Sequence, residues 1–442
     1  MQDDNPPAID SRRGFMMLGP NMAWAMLGTV FNQGSTLASN IWIANLLGRT
    51  AFGEFVIVLA TVQATAALAS LGIGYTATRY LAELRHRDIV RAGQLLGLFS
   101  KMSWLAAVVA ALSLAAASSG IAGSALLAPA LGSSLLLAAA STVFTIRSGF
   151  LTGALSGLEA FRPVGIAGVL SGTMYFGLTV GGASMGGVPG AAVGLCASAV
   201  VQCALLSVAL ARERKLQRLT RESARFSEER PLMFRFALPA ALSGLSTVPA
   251  LWAVQALLAR SPDGFANLAV YAAGSNLLSM VLFAPTVLNG VAMAWINRTQ
   301  AVQGHVAYRS ALRANVGVTL VTVITALIGM AIIGPTLLGL YGRDFRSGST
   351  ALALLLAASV PEALTIALNQ SLQTSERMWE AFLGINIPRD TVIIVTAVLL
   401  VPRFGATGAA AAYLSGRLVA LCSMVYLVRH EVSTPRSLPA PS

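Results

Sequence analysis

The sequence predicts an all-α membrane protein of about twelve transmembrane helices, arranged as two six-helix lobes related by a pseudo-two-fold axis along the membrane normal. Three observations predict it. Long apolar stretches fill the chain from Asn21 to Val428, basic residues gather on alternate connections between them, and the second half weakly repeats the first. An apolar run of about twenty residues matches the hydrocarbon thickness of a bilayer. In lipid every backbone N–H and C=O must be satisfied within its own segment, so the runs must be helices. Charged residues make up only 11% of the chain, against roughly a quarter in soluble domains.

The runs place spans at 21–46, 53–78, 94–117, 133–158, 163–183, 187–211, 235–259, 266–293, 313–334, 349–373, 383–401 and 405–428. Most of the thirty Lys and Arg residues fall on the N-terminal tail, the even-numbered loops and the C-terminal tail, with the densest group at Arg212–Arg235. Arg49, Arg260, Arg343, Arg346 and Arg403 lie on the other side, and the connections at 118–132 and 184–188 carry no charge. Basic loops stay in the cytoplasm, which puts both termini there. Ser11-Arg12-Arg13-Gly14-Phe15 reads as a basic tail ahead of the first span rather than an export signal. The domain reading is a tail at 1–20, an N-lobe at 21–211, a linker at 212–234, a C-lobe at 235–429 and a tail at 430–442.

The net charge of +12 is spread over membrane-flanking loops, which fits orientation and contact with anionic lipid, not nucleic acid. Cys196 and Cys203 lie two helical turns apart, about 10 Å and beyond disulfide reach. His86, His305 and His430 have no ligand partners at metal-binding spacing, so neither metal nor cofactor is expected. External connections are short and no Gly-rich phosphate loop with its Lys is present. A transporter is expected, not an enzyme.

The repeat is carried by two matches. Pro20 and Pro239 each open a six-span group, and Gly187-Val188-Pro189-Gly190-Ala191-Ala192 corresponds to Gly405-Ala406-Thr407-Gly408-Ala409-Ala410. An even number of spans per half gives both halves the same orientation, as in parallel-repeat transporters that handle substrate between their lobes.

Ionisable groups at bilayer depth are costly and mark function. Arg147, Glu362 and Arg417 lie near the middles of spans four, ten and twelve, about 18 Å from at least one helix end, too far to snorkel. Lys101 is close enough to the cytoplasmic face to do so. Glu362 and Arg417 are expected at similar depth in one half and can neutralise each other; the other reading of Glu362 is an ion-coupling carboxylate. Arg147 has no acidic counterpart in its half, so a hydrated cavity or a bound anion is expected beside it. Its planar fork suits phosphate. The expectation is that Arg147, with Arg417, receives an anionic lipid headgroup in a cavity between the lobes.

Polar residues form stripes. Asn32, Ser35, Thr36, Ser39 and Asn40 share one arc of span one, and Ser359, Glu362, Thr365, Asn369 and Gln373 recur at helical spacing on span ten beside Pro361. Asn276 and Asn289 add amides to span eight. Such stripes either glue helices together or line a wet cavity. Asn32, Thr36, Asn40, Asn276, Asn369 and Gln373 are the cavity candidates.

The stretch Ala44-Asn45-Leu46-Leu47-Gly48-Arg49-Thr50-Ala51-Phe52-Gly53-Glu54-Phe55, with Leu71-Gly72-Ile73-Gly74 and Arg79-Tyr80-Leu81-Ala82-Glu83, resembles the start of the polysaccharide transporter family. Gly405–Ala410 with Tyr413 and Leu414 resembles that family's final span. The superfamily also holds multidrug and toxin extruders and lipid II flippases. The resemblance implies a flippase in the bacterial inner membrane that moves undecaprenyl-diphosphate-linked oligosaccharide repeat units by alternating access, through a cationic cavity, alongside polymerase and glycosyltransferase machinery. The alternatives are a multidrug or small-cation exporter, a lipid II flippase, and an integral-membrane polymerase or ligase. Span one has no Arg between Asn21 and Gly48, and the first six spans carry no acidic residue away from their ends, which disfavours the first two relatives.

Overall fold

A computed structural model describes residues 11–70, 72–220, 247–374 and 378–433 of the chain, with side chains except at 11–22, 25, 290–309, 370–374, 378, 381 and 428–433. Ten α-helices account for nearly all of it: α1 Ser11–Ser70, α2 Ile73–Arg87, α3 Ile89–Gly120, α4 Gly132–Gly157, α5 Phe161–Leu216, α6 Thr247–Ala259, α7 Gly264–Leu340, α8 Ser349–Thr374, α9 Met378–Ala381 and α10 Ile387–Ser433.

Several of these hold two membrane segments joined without a loop. Gly48 (φ 80°) breaks α1, Gly186 and Gly187 break α5, and Gly405 breaks α10. In α7 the break is seen in side chains. Asn315 Nδ2 donates to Asn289 Oδ1 at 2.8 Å and Asn289 Nδ2 to Thr319 Oγ1 at 3.2 Å, whereas a straight helix would separate residues 289 and 315 by about 39 Å. The chain therefore doubles back between them. Counted at these breaks, the described residues form twelve apolar segments, the seventh (α6) described from Thr247. Large apolar side chains such as Leu105, Leu112, Val321, Ile332 and Leu399 are exposed along them, as a lipid-facing surface requires.

Gly187 (φ 57°, ψ −137°) and Gly405 (φ 52°, ψ −128°) make the same turn 218 residues apart, in a conformation essentially confined to glycine. Three residues on, each half repeats a second demand. A Cβ on Gly190 would overlap the Gly182 carbonyl, and one on Gly408 would sit 2.5 Å from the Leu400 carbonyl oxygen. The repeat read from the sequence is thus a duplicated helical hairpin, closed tightly enough to exclude side chains at its crossing.

Two boundaries differ from the sequence reading. Span two, expected to run to residue 78, ends at Ser70; Gly72 (φ 65°) turns the chain into α2, which packs on α4. The sixth span, expected to end at 211, stays helical to Leu216, carrying Arg214 and Lys215 on its last turn, where cations favour the helix dipole. Residues 1–10, most of the linker, the start of span seven at 235–246 and the tail at 434–442 lie outside the described residues.

The buried apolar clusters position the site. One runs through both halves, from Ile43–Val62 of α1 to Val254–Leu282, Tyr341 and Phe345. A second lies wholly in the first half, among Ile73, Leu81, Leu95, Phe99, Phe150 and Leu206, and a small third wholly in the second, at Ile385, Ala420 and Met424. The halves share a core at the end away from the chain termini and hold separate cores near the termini.

Candidate functional site

The shared core is a seam made by one short stretch. Gly48 turns the chain, and the helix that follows presents Arg49, Phe52 and Gly53 to the second half. Phe52, Tyr341 and Phe345 are fully buried and stack with ring centroids 5.6–6.2 Å apart. Arg49 Nε donates to the Ala266 carbonyl at 2.9 Å, Asn45 Nδ2 to the Leu340 carbonyl at 2.5 Å, and Trp252 Nε1 to Thr61 Oγ1 at 2.9 Å. Gly53 lies against the Phe265 carbonyl so closely that a Cβ would overlap it. Beyond the seam, toward the termini, a crevice of about 450 Å³ opens between Gln63, Ser70 and their neighbours on α1, Thr145, Ile146 and Gly149 on α4, and Val248 on α6. Among the described residues its wall has no charged side chain.

The polar stripe of span one faces elsewhere. Asn32 lies against α5, where a Cβ on Gly172 would come within 3.1 Å of the Asn32 Cα, and Thr36 donates to the Asn32 carbonyl at 2.9 Å. Asn40 is buried, its Oδ1 without a partner. Asn276 donates to the Tyr341 hydroxyl at 3.3 Å, within the seam. Asn369 is half-buried on α8; the side chain of Gln373 lies outside the described residues. None of the first four lines the crevice. Asn32 and Asn276 sit at helix contacts, where amides and hydroxyls hold membrane helices together.

Glu362 and Arg417 meet. Arg417 Nη2 is 2.9 Å from Glu362 Oε1, and the Tyr413 hydroxyl donates to Glu362 Oε2 at 2.7 Å while accepting from Arg417 at 2.8 Å. The guanidinium also lies 4.7 Å from the centre of the Tyr413 ring. Tyr413 and Arg417 are one turn apart on α10, and Pro361 precedes the carboxylate on α8. Arg417 is thus compensated within the second half and does not join Arg147 in a common site. A second buried pair escaped the sequence reading: Arg389 donates to its neighbour Asp390 at 2.8 and 3.1 Å and reaches Thr247 on α6.

Arg147 points away from the crevice. Thr145, Ile146 and Gly149 face the gap between the halves, while Arg147 and Leu151, on roughly the opposite side of α4, face a separate cavity of about 610 Å³ inside the first half. Arg147 is 5% exposed. Its Nη1 donates to the Ser100 carbonyl at 3.0 Å, and the guanidinium lies over Trp104 (4.7 Å) and Phe150 (5.1 Å). The expectation of a headgroup between the lobes at Arg147 therefore meets a different geometry, because the helix turns that side chain into its own lobe.

Sequence reasoning passed over the seam. Its signal was present, since Asn45, Arg49, Phe52 and Gly53 all belong to the stretch that carries the family resemblance.

Comparison with known proteins follows from this geometry. Residues 18–300 match the family described as polysaccharide biosynthesis protein. The chain is 26% identical over 181 residues to the EPS I polysaccharide export inner membrane protein EpsE of Ralstonia nicotianae, a stretch that spans 40% of each chain. Among solved structures it is similar to the eukaryotic MATE transporter AtDTX14 (TM-score 0.71, 16% identity, 96% of this chain and 97% of that one) and to a MOP superfamily transporter from Pyrococcus furiosus Vc1 (TM-score 0.69, 17% identity, 93% and 94%). At such identities the likeness establishes a shared multi-pass transporter fold.

Proposed function

Because the chain belongs to the polysaccharide biosynthesis protein family, we propose that it is a flippase carrying lipid-linked oligosaccharide repeat units across a bacterial inner membrane by alternating access. Both termini lie in the cytoplasm, the seam at Arg49 and Phe52 closes the external side, and the crevice at Gln63 and Thr145 faces inward. The halves correspond to the lobes at 21–211 and 235–429. Substrate is the lipid-linked saccharide; polymerase and glycosyltransferase machinery of the same polymer are the expected partners, and the reaction is translocation without covalent catalysis.

The crevice is the observation that carries this reading. Among the described residues it is lined mostly by small and apolar groups, with Gln63, Ser70 and Thr145 as its polar members and no carboxylate, while Glu362, at mid-depth in the second half, is held by Arg417 and Tyr413. A small-cation exporter needs an uncompensated negative charge on the path. A saccharide needs hydrogen-bonding groups and room.

The fold it shares with MATE transporters keeps drug export as the competing activity, and accumulation separates the two. Cells lacking the chain are expected to trap lipid-linked repeat units on the cytoplasmic leaflet, with complementation by the intact gene. Deletion that leaves those units unchanged and raises only drug sensitivity would assign the exporter activity instead. Single units that reach the outer leaflet but stay unpolymerised would point to polymerase chemistry.

A further inference from the structure

We propose that the cavity inside the first half is a binding site for a phosphate or diphosphate group, held by Arg147 at its floor and by Arg214, Lys215 and Arg218 toward its mouth. The site lies on the opposite side of α4 from the crevice between the halves, so it is distinct from the transport path proposed above.

Four observations assemble it. The cavity measures about 610 Å³, and its wall brings together Arg147, Ser207, Arg214, Lys215 and Arg218 with no carboxylate among the described residues. Arg147 is 95% buried by exposure, yet its described partners are all neutral: the Ser100 carbonyl and hydroxyl and two aromatic rings. Its Nε has no hydrogen-bond partner. Glu213, the acidic residue nearest in sequence to the mouth, accepts from Gln217 rather than facing the cavity.

The physical argument follows from charge. A buried guanidinium lacking an anion carries an uncompensated desolvation cost, and the rings and one carbonyl offset only part of it. A tetrahedral oxyanion supplies what is missing, a full negative charge and acceptors matched to the guanidinium fork. Basic residues at the last turn of α5 would by themselves complement the helix dipole. That accounts for Arg214 and Lys215 at an exposed helix end, but not for a buried cation at the bottom of the same cavity. From Ser207 to the helix end at Leu216 the path covers nine residues, about 14 Å, with Arg218 just beyond. An anion entering at exposed Lys215 and Arg218 would thus travel past Arg214, which also holds the Thr220 carbonyl, to reach Arg147.

The phosphate can belong to a lipid headgroup or to a soluble compound, and one experiment distinguishes these. The full chain is placed in nanodiscs of phosphatidylcholine and titrated with pyrophosphate, followed by the fluorescence of Trp104, which lies under the Arg147 guanidinium. Saturable binding is expected. Arg147→Gln should weaken it by roughly tenfold or more, the loss of one charge-assisted contact, and Arg147→Lys should retain part of it. The exposed pair Lys215→Gln and Arg218→Gln, which cannot disturb the core, should weaken it a few-fold, and Arg162→Gln, away from the cavity, should not. Competition by phosphatidic acid in the disc would assign the site to a lipid headgroup; undiminished pyrophosphate binding in its presence would assign it to a soluble anion. Absence of saturable binding, or equal binding by a well-folded Arg147→Gln protein, would overturn the assignment. A leaflet-accumulation defect in the deletion strain would stand whichever way this result fell, so the two proposals fail separately.

Discussion

Alanine at Gly53 is expected to cut transport by roughly tenfold or more while leaving the helices folded, since an overpacked contact that cannot relax costs about 1–3 kcal/mol and such a bias shifts a two-state equilibrium by about that factor. The added Cβ would overlap the Phe265 carbonyl, which is backbone at the start of α7 and has no rotamer to adopt. The halves must part there, and Phe52, Tyr341 and Phe345 lose their stacking. The measurement is labelling by a membrane-impermeant thiol reagent of Ala44→Cys, a buried seam position, in a chain lacking its native cysteines. It should be slow with Gly53 and fast with Gly53→Ala. Arg49→Ala should act in the same direction but less, having lost hydrogen bonds to a carbonyl rather than gained an overlap. Unchanged transport and unchanged labelling in Gly53→Ala would show that the seam does not control access.

The second large effect concerns Glu362 and Arg417. Removing either one alone leaves the other charge buried and unpaired, a loss of about 3–5 kcal/mol. Glu362→Ala and Arg417→Ala are each expected to lower the yield of monodisperse protein and its melting temperature sharply. Glu362→Gln with Arg417→Met together should recover most of the loss, because two apolar-sized neutral partners remove both desolvation costs at once. Tyr413, bonded to both groups, would remain with the amide. Transport by the recovered double variant decides the role of the carboxylate. Full activity assigns the pair to architecture, whereas a folded but inactive double variant assigns Glu362 to ion coupling. If either single variant proves as stable as the parent, the pair carries no structural weight.

Much of the architecture was legible in the sequence because lipid imposes few solutions. Run length set the segments, and the Gly187/Gly405 correspondence emerged as one turn used twice. The pairing of Glu362 with Arg417 was one of two readings open to residues of opposite sign at equal depth. What stayed hidden was which way each helix faces. In a soluble protein the polar face marks the outside, but here Leu95 and Leu105 on the same helix have the same chemistry although one is fully buried and the other 68% exposed. With both faces apolar, periodicity cannot orient a helix, so Arg147 was expected in the gap between the lobes and found on the other side of α4. For the same reason the polar stripe of span one was expected to line a cavity, and Asn32 was found against α5. The seam was missed differently. It is built from Gly53, Phe52 and Tyr341, residues whose role lies in shape rather than in functional groups.

The amides of α7 fix how this molecule can move. Asn289 ties the first arm of that hairpin to Asn315 and Thr319 on the second, and Asn276 ties it again to Tyr341 at the far end. Tied near both extremities by groups that find no water to compete for them in hydrocarbon, the two arms are held in one register. Whatever lifts Tyr341 from Phe52 therefore acts on both arms together, with Pro285, between the two ties, as the point where the first arm lacks a helical hydrogen bond.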